Sequence, residues 1–182
     1  MDGFLLQVNQ ELIEGHDLCL ATIVNQIGSA PRALGASFLV REDGSIAGTI
    51  GGGRLEADVI TAAVQTLAAR ESRILHFRLK GTEIAKTDML CGGDVDVYLE
   101  PVLSGDQAAL DIFAASARVL ATGSRALMVT PLLPGPQQSL AGRKLLITSD
   151  GLTVGSVELL PVLAGDLKSD LEELVGRANP GL

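Results

Sequence analysis

The chain has 182 residues, 47% of them apolar, with 14 basic against 22 acidic side chains and a formal charge of -8 at pH 7. That length supports one substantial core or two small ones. The acidic balance removes the basic patch on which non-specific nucleic-acid binding or adhesion to an anionic membrane depends, and no Trp, one Tyr and four Phe leave little for base stacking.

No uninterrupted apolar run approaches the roughly 18 residues a membrane helix needs, and no charged leader with an apolar run stands near Met1, so a cytoplasmic protein is expected. Two cysteines, Cys19 and Cys91, are too few for a disulfide framework.

Phe4, Leu5, Val8, Leu12 and Ile13 recur at helical spacing and stop at Gly15, which predicts a first amphipathic helix. The apolar run from Leu18 to Val24 predicts a buried strand with Cys19 in the core. After a Pro31-Arg32 loop, residues 36–41 and 45–50 flank Asp43-Gly44, the signal of a two-residue hairpin. Gly51, Gly52 and Gly53 follow, and from Leu55 the positions Val59, Ile60, Ala63, Val64 and Leu67 mark one face of a second helix ending near Arg70. Leu75, Phe77 and Leu79 then alternate with His76 and Arg78. Val95, Val97 and Leu99 alternate in the same way with Asp96, Tyr98 and Glu100, so two strands are expected on either side of a loop carrying Lys80 to Gly93.

The rest of the chain repeats its first quarter. Sliding by 107 residues places Gly142 on Gly35, Asp150-Gly151 on Asp43-Gly44 and Gly155 on Gly48, with a helix from Gln107 to Leu120 and a strand from Ala126 to Val129 in matching order. A single domain over 1–182 is therefore expected, with an internal repeat of about 4–53 and 111–160. Its fold class is α/β or α+β, a mixed sheet with flanking helices built from two related helix–strand–hairpin halves. The second copy has Pro136-Gln137-Gln138-Ser139 in place of Ser29-Ala30-Pro31-Arg32, and Glu158-Leu159-Leu160 in place of the triple glycine. Residues peculiar to the first copy are accordingly the better site candidates.

Gly51-Gly52-Gly53 before Arg54-Leu55-Glu56 puts unhindered backbone N–H groups at a helix start, where orphan amides and the dipole favour phosphate or carboxylate; a tight strand-to-helix turn explains the same glycines. A dinucleotide fingerprint would need glycine where Glu56 stands. A P-loop would need Lys and Ser or Thr where Arg54-Leu55 stand, and no G-x-S-x-G elbow exists. Arg32, after a stiff Pro31, is a bidentate partner for phosphate, and Ser29 a further donor. Glu56 is a polar site candidate that also complements the helix start. Cys91, between Met89-Leu90 and Gly92-Gly93, is a soft thiol on a loop that glycines leave open to a ligand, a transition metal or a sulfur carrier. His16 and His76 are too isolated to form a metal set.

Gly28-Ser29-Ala30-Pro31-Arg32, Gly35-Ala36, Asp43-Gly44-Ser45, Gly48-Thr49-Ile50-Gly51-Gly52-Gly53 with Glu56, Cys91-Gly92-Gly93 and Leu99-Glu100-Pro101 together resemble the amino-terminal domain of the XdhC/CoxI family, accessory proteins of xanthine dehydrogenase and carbon monoxide dehydrogenase maturation. The resemblance covers about residues 18 to 102. It implies a maturation chaperone rather than an enzyme: a protein that binds molybdenum cofactor, as molybdopterin or a dinucleotide form, holds it during sulfuration and delivers it to a molybdenum hydroxylase client. Contact with a cysteine desulfurase is implied too. By position, Cys91 matches the family cysteine implicated in holding the cofactor and is a possible molybdenum contact. Ser29, Arg32, Gly51, Gly52, Gly53, Glu56, Gly92 and Gly93 match motif positions of a cofactor-binding face. Longer members continue into a carboxy-terminal Rossmann domain that is not expected before Leu182. Many also carry a cysteine where Arg54 stands. A homodimer is expected from the apolar content. The competing readings are an enzyme, either for sulfur transfer through Cys91 or for a phosphate ligand through Arg32, and a pure interaction scaffold.

Overall fold

Helical and alternating apolar periods resolve into three helices and nine strands in the computed structural model, which describes residues 2–28, 32–79, 93–132, 135–136, 143–149 and 151–156. In chain order these are α1 (Asp2–Ile13), β1 (Leu18–Gly28), β2 (Ser37–Arg41), β3 (Ile46–Gly48), α2 (Gly53–Ala69), β4 (Glu71–Leu79) and β5 (Gly93–Val102). They are followed by α3 (Gln107–Ala121), β6 (Ala126–Val129), β7 (Gly135–Pro136), β8 (Leu145–Thr148) and β9 (Thr153–Gly155). The fold is α/β, and every pairing among the described residues is antiparallel.

The chain divides into two compact units, one formed by His16–Leu103 with Leu132–Gln138, the other by Met1–Gly15, Ser104–Pro131 and Ser139–Leu182. The first holds a six-stranded sheet in the order β3-β2-β1-β5-β4-β7. Period-two alternation turns Cys19, Ala21 and Ile23 of β1, Phe38 and Val40 of β2, and Val95, Val97 and Leu99 of β5 toward one apolar face. Upon that face lies α2, through Leu55, Val59, Ala63 and Leu67 at helical spacing. Each fully buried Val or Leu contributes about 1.5–3 kcal/mol, so a charge at Val59 would detach the helix from the sheet. Arg70, in the left-handed region at φ 54°, ends α2 by donating its N–H to Leu67 O.

In the other unit α1 packs against α3, and α3 against the three-stranded sheet β6-β8-β9. Asp106 caps α3, its side chain accepting from the Ala108 N–H at 3.0 Å. No described helix is long and apolar enough to cross a membrane.

The turn at Asp43-Gly44 differs from the expected two-residue loop. Arg41 N–H donates to Ser45 O and Gly44 N–H to Arg41 O, both at 2.9 Å, and Gly44 has φ 79°. This is a three-residue loop with a left-handed glycine at its third position, tightened by Asp43, whose carboxylate accepts from the Ser45 N–H at 2.8 Å. The edge strand β7 carries no alternating apolar signal and was not expected from the sequence; its two residues pair with Ser72 and Glu71.

Candidate functional site

Three of the motif segments leave one end of the six-stranded sheet. Gly28, the last residue of β1, pairs with Gly93, the first of β5, and Gly93 pairs on its other side with Leu79, the last of β4. The loop beginning at Ser29 and the connection of residues 80–92 therefore start or finish on the same rung. Ser29, Cys91 and Gly92 lie outside the described residues. Past Gly28 the chain folds back along β1: Gly35 N–H donates to Ile23 O at 2.9 Å and Ile23 N–H to Ala36 O at 3.0 Å, which leaves Arg32 exposed at the turn.

The glycine turn follows β3. Gly48 has φ 91°, and a Cβ there would stand 2.9 Å from Ser37 O and 3.1 Å from Phe38 Cα, so the close approach of β3 to β2 excludes any side chain. Gly51, Gly52 and Gly53 have φ 125°, 75° and 68°. Nothing lies within 4 Å of a Cβ built at Gly52 or Gly53, so backbone conformation rather than crowding demands glycine at those two positions.

Glu56, on the first turn of α2, points back into this turn. Its Oε2 accepts from Thr49 Oγ1 at 2.7 Å, Gly52 N–H at 3.1 Å and Ile50 N–H at 3.2 Å, and Thr49 Oγ1 in turn accepts from Gly51 N–H at 3.1 Å. Partial burial pushes the Glu56 carboxyl up. The hydrogen bonds from Thr49, Gly52 and Ile50, joined by attraction to the Arg32 guanidinium, outweigh that and hold it below the ordinary glutamate value. The Arg32 contribution is the smallest of these. Arg54, directly after the glycines, pairs with Asp58 at 3.7 Å on the exposed side of α2.

A second polar group lies on the sheet face opposite α2. Asp96 of β5 accepts from Asn25 Nδ2 at 3.0 Å through one carboxylate oxygen and shares a 2.7 Å hydrogen bond with His76 Nδ1 through the other. On the next rung Arg78 stands 3.5 Å from Asp94. A register shift between Ile23 and Asn25 brings Asn25 opposite Asp96. The alternating pattern shows His76 and Asp96 on the polar sides of their strands, but a bulge has no apolar signature, so Asn25 is not legible there. Thr49 was missed as well; a hydroxyl two residues before a left-handed glycine is the signal that finds it.

Cys19 lies buried in the core, where burial and, next, the nearby Glu100 charge push its thiol far above the ordinary range, so it is an inert packing group.

Residues 12–78 match the model of the XdhC and CoxI family. The chain is 44% identical over 82 residues to YqeB, an uncharacterized protein of Escherichia coli K12, an alignment covering 44% of this chain and 15% of YqeB. It is 30% identical over 95 residues to PaoD of the same organism, a molybdenum cofactor insertion chaperone, covering 52% of this chain and 30% of PaoD. The chain thus spans less than a third of the length of either relative. Among solved structures, that of a xanthine dehydrogenase from Bacillus halodurans has the same fold, with a TM-score of 0.59 at 22% identity over 84% of this chain and 44% of that one. The segment that matches the XdhC and CoxI family model holds β1, the Pro-Arg loop, the hairpin, the glycine turn with Glu56, and α2.

Proposed function

We propose that the protein binds molybdenum cofactor, holds it during sulfuration, and delivers it to a xanthine dehydrogenase-type molybdenum hydroxylase. One observation carries this reading: Gly28, which leads into the Pro-Arg loop, and Gly93, on which the connection of residues 80–92 ends, share one rung of the sheet. The name of PaoD, a molybdenum cofactor insertion chaperone, supports the same reading from outside the chain.

The residues suit such a cofactor. Arg32 offers an exposed guanidinium for the phosphate. Cys91 supplies a soft thiolate donor for molybdenum, two residues before Gly93. Ser29, Gly51, Gly52, Gly53, Glu56, Gly92 and Gly93 complete the proposed face. The cofactor itself supplies the metal chemistry; the chain binds it, orients it and shields it from water. A cysteine desulfurase is the proposed sulfur donor, the working form is a homodimer, and the compartment is the cytoplasm.

The protein purified from a molybdenum-competent host is expected to carry molybdenum and to yield a fluorescent oxidised pterin, and a Cys91→Ala variant to carry neither. Absence of both from the unmodified protein, together with failure to bind supplied cofactor, would overturn the reading.

A further inference from the structure

The N–H groups of a glycine turn at a helix start are the expected seat for a ligand's anion. Here those of Ile50, Gly51 and Gly52 are already engaged from within the chain. Ile50 and Gly52 donate to Glu56 Oε2, Gly51 donates to Thr49 Oγ1, and Thr49 Oγ1 itself donates to that same carboxylate oxygen. The consecutive amides of residues 50, 51 and 52 therefore all have an internal acceptor. A phosphate that sought them would have to displace a carboxylate tethered one helical turn away, whose effective concentration no free ligand approaches. Arg32 is differently placed: it is exposed, its charge adds slightly to the stabilisation of the Glu56 carboxylate, and its planar fork of five donors matches a phosphate face.

We infer that Glu56 is an internal anion that fills the glycine turn and directs the anionic group of an incoming ligand to Arg32. This deepens the cofactor-binding reading and rests on it for the class of ligand, a phosphate ester. Glu56 acts here as a positioning residue with two effects. It fixes the backbone of residues 49–52, so Gly51 and Gly52 present a set wall rather than an open cradle. It also competes with the ligand for Arg32, which lowers the affinity of any anion that binds there.

The test titrates the 15N-labelled full chain with inorganic phosphate at neutral pH. In the unmodified protein, phosphate is expected to shift the Arg32 Nε–H signal and to leave the Ile50 and Gly52 amides in place. In Glu56→Gln, those two amides are expected to move with phosphate and the affinity to rise about tenfold, as loss of a nearby like charge would give. Arg32→Ala loses the response of the unmodified protein. A merely structural role for Glu56 predicts weaker phosphate binding in the Gln variant, the opposite sign. If that variant does not fold, the same amides are read in Glu56→Asp, which keeps the charge but withdraws it from the turn. Phosphate-dependent shifts of Ile50 and Gly52 in the unmodified protein would overturn the inference, as would silence at Arg32 or unmoved amides in both Glu56 variants. Cofactor loading is scored separately by molybdenum content, so failure of the maturation role and failure of this inference are distinguishable.

Discussion

The hairpin β2–β3 and the hairpin β8–β9, 107 residues further on, are built alike down to single hydrogen bonds. Phe38, Leu39 and Val40 pair with Gly48, Ala47 and Ile46; Leu145, Leu146 and Ile147 pair with Gly155, Val154 and Thr153. Both turns close through a donor to the fourth residue on and a left-handed glycine, Gly44 in one and Gly151 in the other. In both, the last glycine has a positive φ, and a Cβ on it would run into the carbonyl of the residue one position before Phe38 or Leu145, namely Ser37 or Lys144. Beyond that glycine the two copies diverge. After Gly48 come Thr49, the triple glycine and Glu56 with their shared network; after Gly155, Ser156 N–H returns to Lys144 O. The strand before the hairpin also differs, because Leu18 faces Arg41 whereas Ala126 faces Thr148, a slip of one residue in the 107-residue alignment. The glycines common to both hairpins are demanded by strand geometry. Those found only in the first copy form, with Thr49 and Glu56, a hydrogen-bonded turn at the start of α2. The internal repeat over about 4–53 and 111–160 is proposed on this shared register.

The equivalence of the two hairpins predicts the strongest effects. Gly48→Ala and Gly155→Ala each place a Cβ against a backbone carbonyl at a strained φ, and each is expected to cost about 2–4 kcal/mol in urea unfolding. Tolerance of one and not the other would undo the equivalence, because it would show that the two close approaches are held with different stiffness.

The divergence beyond the hairpins predicts a difference in ligand binding. Arg32→Ala removes a charge-assisted partner from an exposed site, so phosphate affinity is expected to fall about 10- to 100-fold with unfolding unchanged. Arg143→Ala, an equally exposed arginine just before β8, is expected to do neither. Isothermal titration of both variants decides it, and equal losses would mean that phosphate reads the net charge rather than the site.

Legibility in the sequence depends on which features leave a periodic trace. The strand Ala126–Val129 and the helix at Gln107 stand where apolar spacing put them, and the glycines of both hairpins sit in the expected order. The period ends where side chains cease to alternate between core and solvent. β1 runs to Gly28, beyond the apolar stretch, because β5 supplies backbone partners even for the polar residues Asn25 and Gln26. The inward turn of Glu56 was equally hidden: a carboxylate three residues after a triple glycine suits the helix dipole whichever way it faces, and only backbone positions decide that it faces the turn.

Acid is expected to separate the first hairpin's surroundings from the second's by a smaller amount. Glu56 has a depressed folded-state pKa, so its contribution is fully present above the ordinary value of 4.5 and is lost as pH falls through the lower folded value. The carboxylate is only partly buried, so the stake is under about 1 kcal/mol. Glu56→Gln should flatten this dependence between neutral pH and pH 3 in urea midpoints; a slope as steep as that of the unmodified protein would show that other carboxylates carry it.

A weaker effect still concerns β4 and β5, which have no counterpart beside β6 among the described residues. Asp96 is held below the ordinary aspartate value first by the hydrogen bond from Asn25, then by that from His76. Its stabilisation is therefore present above about pH 3.8 and fades as pH falls through the folded value, and at an exposed cross-strand pair it amounts to about 0.5 kcal/mol or less. A carboxyl-carbon NMR titration should find the Asp96 midpoint moving up toward the ordinary value in Asn25→Ala, and by a smaller step in His76→Ala. The order of the two steps is decisive. Asn25 reaches Asp96 only because the strand slips a residue between Ile23 and Asn25, so a larger step in the His76 variant would mean that the bulge does not hold Asn25 on the carboxylate in solution.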